Sequence, residues 1–567
     1  MVFATMGSAI FDFIRLLITF WNYKILNLLN IIFAIFLLSI FMDLVLGIGV
    51  PLKIKGIFAI PGYPIVGNLF QVLNNPALVY IQWANKYNAS IFQIRLGFKR
   101  IIVVNSFEDV NILWTKHSCS NNSRPVQYIF HGIVSATQGF TVGSTPSGPS
   151  YKRKKKVISQ SLNQKSVNNL SSVIDNETKF TIKNIIQNNR ELFGPPSCNN
   201  YRYTRTIISD IDLLCYAQLY SLRSAIFLTY GLHLDVYDSE ADLAKEIIEV
   251  ESNIMKFRAP VSNLQDYIPI LRYLPFGKSM QAQHYRNRRD AYMNKLFQQL
   301  QEKILEGDVD SSNSLVGVAI KNMELTLKLT SAELQSICLT MVSAGLDNTS
   351  LNFNHLMGQL SQPTTGYIYQ RKAFEEMMSR NKNNICTAWD NAAIVMDCSY
   401  VIALIKETLR YFTVLPLGLP RITTKDITYK DAIIPKNSIL FMNSYAANHD
   451  PNIYKDPMRF IPERWLDLIT GLVLSKYEIS HFSFGAGSRM CSGNHLAFKE
   501  LYTLTCRMIL TFQIRRPTSN KFLMELDPFK NNSNPNAISF EPKLFKVRLE
   551  PRIHNRSDDL YNKILRS

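Results

Sequence analysis

From Ile25 to Met42 the chain runs apolar without a single charge, at the short edge of what a membrane-spanning helix needs. Asp43 interrupts the run and Leu44 to Val50 resumes it. Lys53 and Lys55 follow directly, a positive flank that predicts a single-pass anchor with the main body on the cytosolic side. No small-residue cleavage site follows the apolar stretch, which argues against a removed signal peptide. The earlier stretch Ile10 to Trp21 reads as interfacial or as part of the anchor. Pro61 and Pro64, with Gly62 and Gly67, cannot continue a helix and predict a stiff bend into the body.

Past the bend, Ile91 to Asn105 partly alternates around a central Gly97, the pattern of a β-hairpin. A second small strand region falls between Ile427 and Phe441, and most of the rest has helical period. One helix is predicted to be long. Thr330 and Glu333 form a capping box, apolar positions run from Leu334 to Leu360, and Pro363 stops the pattern. About thirty residues give roughly 45 Å, enough to cross a domain. The Asn-rich stretches Asn188 to Asn200 and Lys530 to Asn536 read as surface loops. The expectation is a mostly α body with small β-sheets (α+β). It divides into an anchor and linker at 1–56, a catalytic domain at 57–555 and a tail at 556–567.

Composition narrows the partners. The net charge of +18 suits an anionic surface such as a membrane or an acidic protein. The one dense basic cluster, Lys152 to Lys156, reads as a solvated helix face, and no nucleic-acid partner is expected. The eight cysteines show no CxxC pair and no zinc-finger spacing, so they read as reduced thiols in a cytosol-facing protein.

Cys491 is the exception. Phe484, Gly487, Arg489, Cys491 and Gly493 stand at the offsets F-x-x-G-x-R-x-C-x-G, a coincidence expected in about one chain of this length in ten thousand. Glycines such as Gly485, Gly487 and Gly493 permit a tight turn and let backbone approach a flat cofactor. Arg489 offers a fork suited to a carboxylate such as a haem propionate. Cys491 supplies an axial thiolate, the ligand whose electron donation favours O–O cleavage. Asn494 to Leu501 contains no helix breaker, so a helix should begin just past the sulfur and turn its positive end toward it. In the middle of the long helix, Ser343 to Ser350 includes small residues at Ala344 and Gly345, which usually mean close packing with another helix and, beside a haem, would leave room for dioxygen and substrate. Glu407 and Arg410 share one helical face. With Arg464 they would form a buried ionic clasp that scaffolds the cysteine loop.

The order of these features resembles the cytochrome P450 family: apolar anchor, proline bend, long helix with Ala344-Gly345-Leu346-Asp347, Glu407-x-x-Arg410, Pro462-Glu463-Arg464-Trp465 and the cysteine loop. The likeness runs from about Ile60 to about Pro551. It implies a haem-thiolate fold with haem b, Cys491 as the metal ligand, and Arg489 and, by position, Arg421 at the propionates. It implies electrons from NADPH through a membrane-bound cytochrome P450 reductase, and residence at the endoplasmic reticulum membrane. Within the family, Gln265 to Pro275, Ser336 to Asp347, Phe441 to Pro451 and Phe484 to Cys491 are similar to phrases of fungal phenylacetate 2-hydroxylases. That branch implies ortho-hydroxylation of phenylacetate feeding homogentisate, with 3-hydroxyphenylacetate equally compatible.

The chain departs from the family pattern twice. The family usually places Thr after the acid of the long helix to relay protons during oxygen activation; here Asp347 is followed by Asn348, and Thr349 comes one residue later. One residue is roughly a 100° turn of the helix, so Thr349 does not simply substitute. The helix of the basic cluster lacks the usual propionate-facing Trp, leaving Arg153 or Lys152 for that duty. A substrate carboxylate needs a partner in the pocket. Arg124 and His131 are candidates by analogy, while Arg124, beside Pro125, equally suits bracing that loop or reaching a propionate; Ala344, Gly345 and Val414 to Leu419 are further pocket wall. Two other functions stay open at this level: a monooxygenase of a fatty acid, sterol, secondary metabolite or xenobiotic, or a haem protein impaired in oxygen activation.

Overall fold

The computed structural model describes residues 52–188, 210–234, 240–259, 263–273, 277–322, 329–476, 478–552 and 557–566, with Asn27, Asn30, Ile31 and Val261 besides. The expected anchor, and most of the Asn-rich stretch after Asn188, lie outside the described residues. Among the described residues no helix is long and apolar enough to cross a membrane.

Strands β1 (Phe58–Ala59), β2 (Ile91–Leu96) and β3 (Lys99–Val104) open the body, and β4 (Arg421–Ile422), β5 (Ile427–Tyr429), β6 (Ala432–Ile434) and β7 (Ile439–Met442) follow late. They form a five-stranded mixed sheet in the order β1-β2-β3-β7-β4 and a separate β5–β6 hairpin. The expected hairpin is β2–β3, pairing Leu96 with Lys99 across Gly97. Gly97 has φ +54°, and a Cβ there would lie 2.4 Å from the Tyr267 carbonyl oxygen. The strand region expected between Ile427 and Phe441 holds three short strands. Lys430 at φ +49° turns β5 into β6, and β7 leaves to run parallel to β3. Strands β8 (Phe512–Arg515) and β9 (Arg548–Pro551) pair near the C-terminus.

The long helix spans Ser331–Leu360, and both halves of its capping box form. Thr330 Oγ1 accepts from the Glu333 amide at 3.2 Å, and Glu333 Oε2 accepts from the Thr330 amide at 3.1 Å. Its two ends belong to different cores. Leu334, Ile337, Leu339, Val342 and Leu346 pack with Ile226, Ile247 and Leu296. Phe353, Leu356, Met357 and Leu360 pack with Leu404, Ile405, Met508 and Ile509. Each such side chain contributes about 1.5–3 kcal/mol by leaving water. Ala344 and Gly345 fall within the stretch of the first core, and Gly345 lets helix Leu214–Tyr230 come close, since a Cβ there would stand 3.1 Å from the Ala225 Cβ.

The stretch expected as a C-terminal tail is not detached from the body: helix Ser557–Arg566 sends Leu560, Tyr561 and Ile564 into the core. The basic cluster is not a purely solvated face either. In helix Pro149–Ser161, Lys154 is buried, its Nζ donating to Thr145 Oγ1 at 2.8 Å and Ser336 Oγ at 3.0 Å.

Candidate active site

A cavity of about 320 Å³ opens beneath the small-residue stretch of the long helix. Its floor is the cysteine loop, with Phe484, Gly485, Arg489, Cys491 and Gly493 all lining it; its roof includes Ala344, Gly345, Asn348 and Thr349. Val414, Leu415, Gly418 and Leu419 form part of the wall.

The loop is shaped by its glycines. Gly487 has φ +61°, and a Cβ there would sit 2.0 Å from the Trp114 carbonyl oxygen, so the loop lies backbone to backbone on the Trp114 segment. Gly485 has φ +71° with open space where a Cβ would stand. The Cys491 amide donates to the Phe484 carbonyl at 2.9 Å, closing the turn. Helix Asn494–Thr511 begins three residues past the sulfur, with Gly493 as its N-cap.

Cys491 opens onto the cavity, while burial in the surrounding protein pushes its thiol above the ordinary range. A backbone hydrogen bond at Gly493 and the Lys155 charge act the other way without prevailing. A bare thiolate is disfavoured in such a place, and a metal cation on the sulfur reverses that balance.

Three guanidiniums gather along the same wall with no carboxylate among them. Arg124 donates from Nε to Gly143 O at 2.8 Å and from Nη1 to the Leu419 and Pro420 carbonyls at 2.7 Å each. Arg421 donates to the carbonyls of Asn121 and Ala486. Arg489 donates from Nη2 to Thr145 O at 2.5 Å and lies 3.7 Å over the Tyr151 ring. Burial, and then their mutual repulsion, holds Arg124 well below the usual arginine range and Arg421 at about 9. Arg489 Nη1 and Trp114 Nε1 are buried without a partner. Buried cations and orphaned donors on one wall are what a doubly anionic group would satisfy. The thiol, the open space at Gly485 and this cationic wall fit haem.

The clasp forms as expected. Glu407 Oε1 accepts from Arg410 Nη2 at 2.8 Å, the Ile461 amide at 2.9 Å and Arg464 Nε at 3.2 Å. Its Oε2 accepts from Arg410 Nε and Trp465 Nε1, each at 2.9 Å. Arg410 Nη1 then reaches Asn448 O at 2.9 Å, and Asn448 Oδ1 holds the Phe482 amide at 2.8 Å, two residues before Phe484. The clasp therefore connects to the approach of the cysteine loop.

The decisive comparison follows from this geometry: the family model described as Cytochrome P450 matches residues 59–546. The chain is a cytochrome P450. This P450 is 36% identical over 500 residues to the phenylacetate 2-hydroxylase of Emericella nidulans, covering 88% of this chain and 91% of that one. It is 36% identical over 501 residues to the 3-hydroxyphenylacetate 6-hydroxylase of the same organism, covering 88% and 90%. A cytochrome P450 monooxygenase of Mycosarcoma maydis is 32% identical over 495 residues, covering 87% and 86%. The protein is thus a P450 oxidoreductase, of a family that carries haem on a cysteine thiolate and draws electrons from a redox partner.

Several expected residues lie elsewhere. Asp347 does not line the P450 cavity. It is buried on another face of the long helix, where burial and then Glu251 raise its carboxyl to about 7. Arg153 pairs with Glu333 at 2.7 Å and, like Lys152, is absent from the cavity wall. Tyr151 and Lys155, four apart on the same helix, line it instead, a spacing visible in the sequence once the helix is placed. His131 is no carboxylate partner. Its Nδ1 accepts from the Gln127 amide at 2.9 Å, Nε2 stands 3.3 Å from Ser144 O, and burial holds it neutral, lowered to about 4. Arg124 belongs with Arg421 and Arg489. Glu500 and Arg258 line the cavity without having been expected there.

Proposed function

We propose that this P450 hydroxylates a small aromatic acid, phenylacetate at the ortho position first among them, feeding homogentisate formation. The observation that carries the reading is one cavity joining the thiol of Cys491 to an apolar, cation-bearing chamber under Ala344 and Gly345, in a chain resembling two arylacetate hydroxylases along most of its length.

Haem b bound in the cavity supplies dioxygen activation and the insertion of one oxygen atom, with electrons from NADPH through a cytochrome P450 reductase. Cys491 would supply the iron's thiolate ligand, its backbone fixed by the hydrogen bond from its amide to the Phe484 carbonyl, with helix Asn494–Thr511 beginning just beyond it. Arg124, Arg421 and Arg489 would answer the charge of the propionates, with the Tyr151 ring lying against the Arg489 guanidinium. Glu407, Arg410 and Arg464 keep the approach to the loop in place. Ala344 and Gly345 leave space for the ring of the substrate, against Val414 and Leu419. Asn348 stands where a hydroxyl relay is usual. Its Nδ2 donates to Ala344 O at 3.3 Å and its Oδ1 has no partner.

The body sits at the cytosolic face of the endoplasmic reticulum membrane, held by the anchor. Leu52, next to that stretch, is 91% exposed, as is much of Ile270 and Tyr273, apolar surface suited to lipid. The test is turnover of phenylacetate by the protein with reductase and NADPH, with product identified by position. A 2-hydroxylated product supports the reading. Absence of turnover on phenylacetate and 3-hydroxyphenylacetate, with turnover of a fatty acid or sterol, overturns it.

A further inference from the structure

A fourth guanidinium, half-buried, lines the same cavity as the three of the cationic wall and adds to the repulsion felt by Arg124. Arg258 follows helix Glu240–Lys256 and lines the chamber together with Met255, Ser221, Ala225 and Ala344. Its neighbours in the wall are apolar or weakly polar. Nη1 lies 3.3 Å from the Met255 sulfur, a weak acceptor, and the guanidinium is 5.0 Å from the centre of the Phe130 ring. Among the described residues it makes no salt bridge and donates to no oxygen. Arg124, by contrast, has three backbone carbonyls as acceptors.

Nearby acids do not answer the charge by contact. Glu251 spends Oε1 on the Tyr292 hydroxyl at 2.6 Å and leaves Oε2 unpartnered. Asp347 acts on Arg258 only through space. Burial disfavours the Arg258 cation, and the attraction of Glu251 and Asp347 offsets this only in part. A guanidinium in that position keeps most of its five donors available, and its fork matches a carboxylate in two-point contact.

We infer that Arg258 is the specificity-determining residue that receives the carboxylate of the substrate, leaving the aromatic ring against the apolar wall below the long helix. The inference rests on the arylacetate reading and gives it a residue. Two-point recognition also explains how an anionic substrate enters a largely apolar chamber, since its charge is met inside.

The experiment is calorimetric titration of the haem-loaded, full-length protein with phenylacetate and with its neutral isostere phenylacetamide, for wild type, Arg258→Gln and Arg258→Lys. Arg258→Gln should weaken phenylacetate by about tenfold or more. It should move phenylacetamide by less than about threefold, and Arg258→Lys should recover part of the loss. Equal weakening of both ligands, or unchanged phenylacetate affinity in both variants, overturns the inference while leaving the substrate reading intact. A wild-type protein that neither binds nor hydroxylates phenylacetate sinks that reading, and the inference falls with it.

Discussion

Thr349 donates its hydroxyl to the buried carboxyl of Glu500 across 3.4 Å, tying the roof helix of the cavity to the helix that follows the cysteine. Thr349 is therefore already engaged, and the residue beside it, Asn348, presents an amide rather than a hydroxyl to the chamber. An amide forms hydrogen bonds but does not act as an acid–base relay near neutral pH.

Oxygen activation in the wild type should accordingly leak reducing equivalents to peroxide. Asn348→Thr should raise the product formed per NADPH consumed, toward one, with peroxide falling in step. The check is parallel measurement of NADPH, product and hydrogen peroxide. Equal coupling in the two proteins counts against this use of Asn348 and favours the Thr349–Glu500 pair as an adequate relay.

Glu500 gives a pH signature. Burial raises its carboxyl from the ordinary 4.5 to about 8, against the lowering effect of the Thr349 bond. Between those values the unfolded chain has lost its proton while the native chain keeps it. The unfolded state then binds fewer protons, so this group makes stability fall as pH rises through the window. Its contribution to the slope is at most about 1.4 kcal/mol per pH unit. Glu500→Gln should remove it, read as the difference in urea midpoints between wild type and variant from pH 4.5 to 8. A difference constant across that range contradicts the assignment.

How much of this was legible in the chain differs from element to element. The β2–β3 hairpin, the capped long helix and the cysteine loop are local patterns, and each appears where the sequence placed it. The clasp was legible because Glu407 and Arg410 share a helix face and Arg464 lies in a short recognisable phrase. Asp347 lies off the cavity, because a motif gives neighbours along the helix, not the face that meets the cavity. Arg153, expected at a propionate, pairs instead with Glu333 at the start of the long helix, distant in sequence. Arg258 and Glu500 were silent for the same reason. Both reach the cavity only once helices far apart in sequence are packed together.

The clasp should be costly to break. Glu407 and Arg410 have fully buried side chains, and removing one partner strands the other charge in the interior, at about 3–5 kcal/mol. Glu407→Ala should lower stability to urea by that order and release haem at lower denaturant. A loss under about 1 kcal/mol would show that the clasp is not the scaffold described.

The bond between the Cys491 sulfur and haem iron is the centre of the account, and the carbon monoxide difference spectrum of the reduced protein tests it directly. Wild type should show the red-shifted Soret band of a thiolate-ligated haem, and Cys491→Ser should lose that band. A Cys491→Ser protein with an unaltered band, or a wild type that stays colourless under ample haem supply, would contradict it.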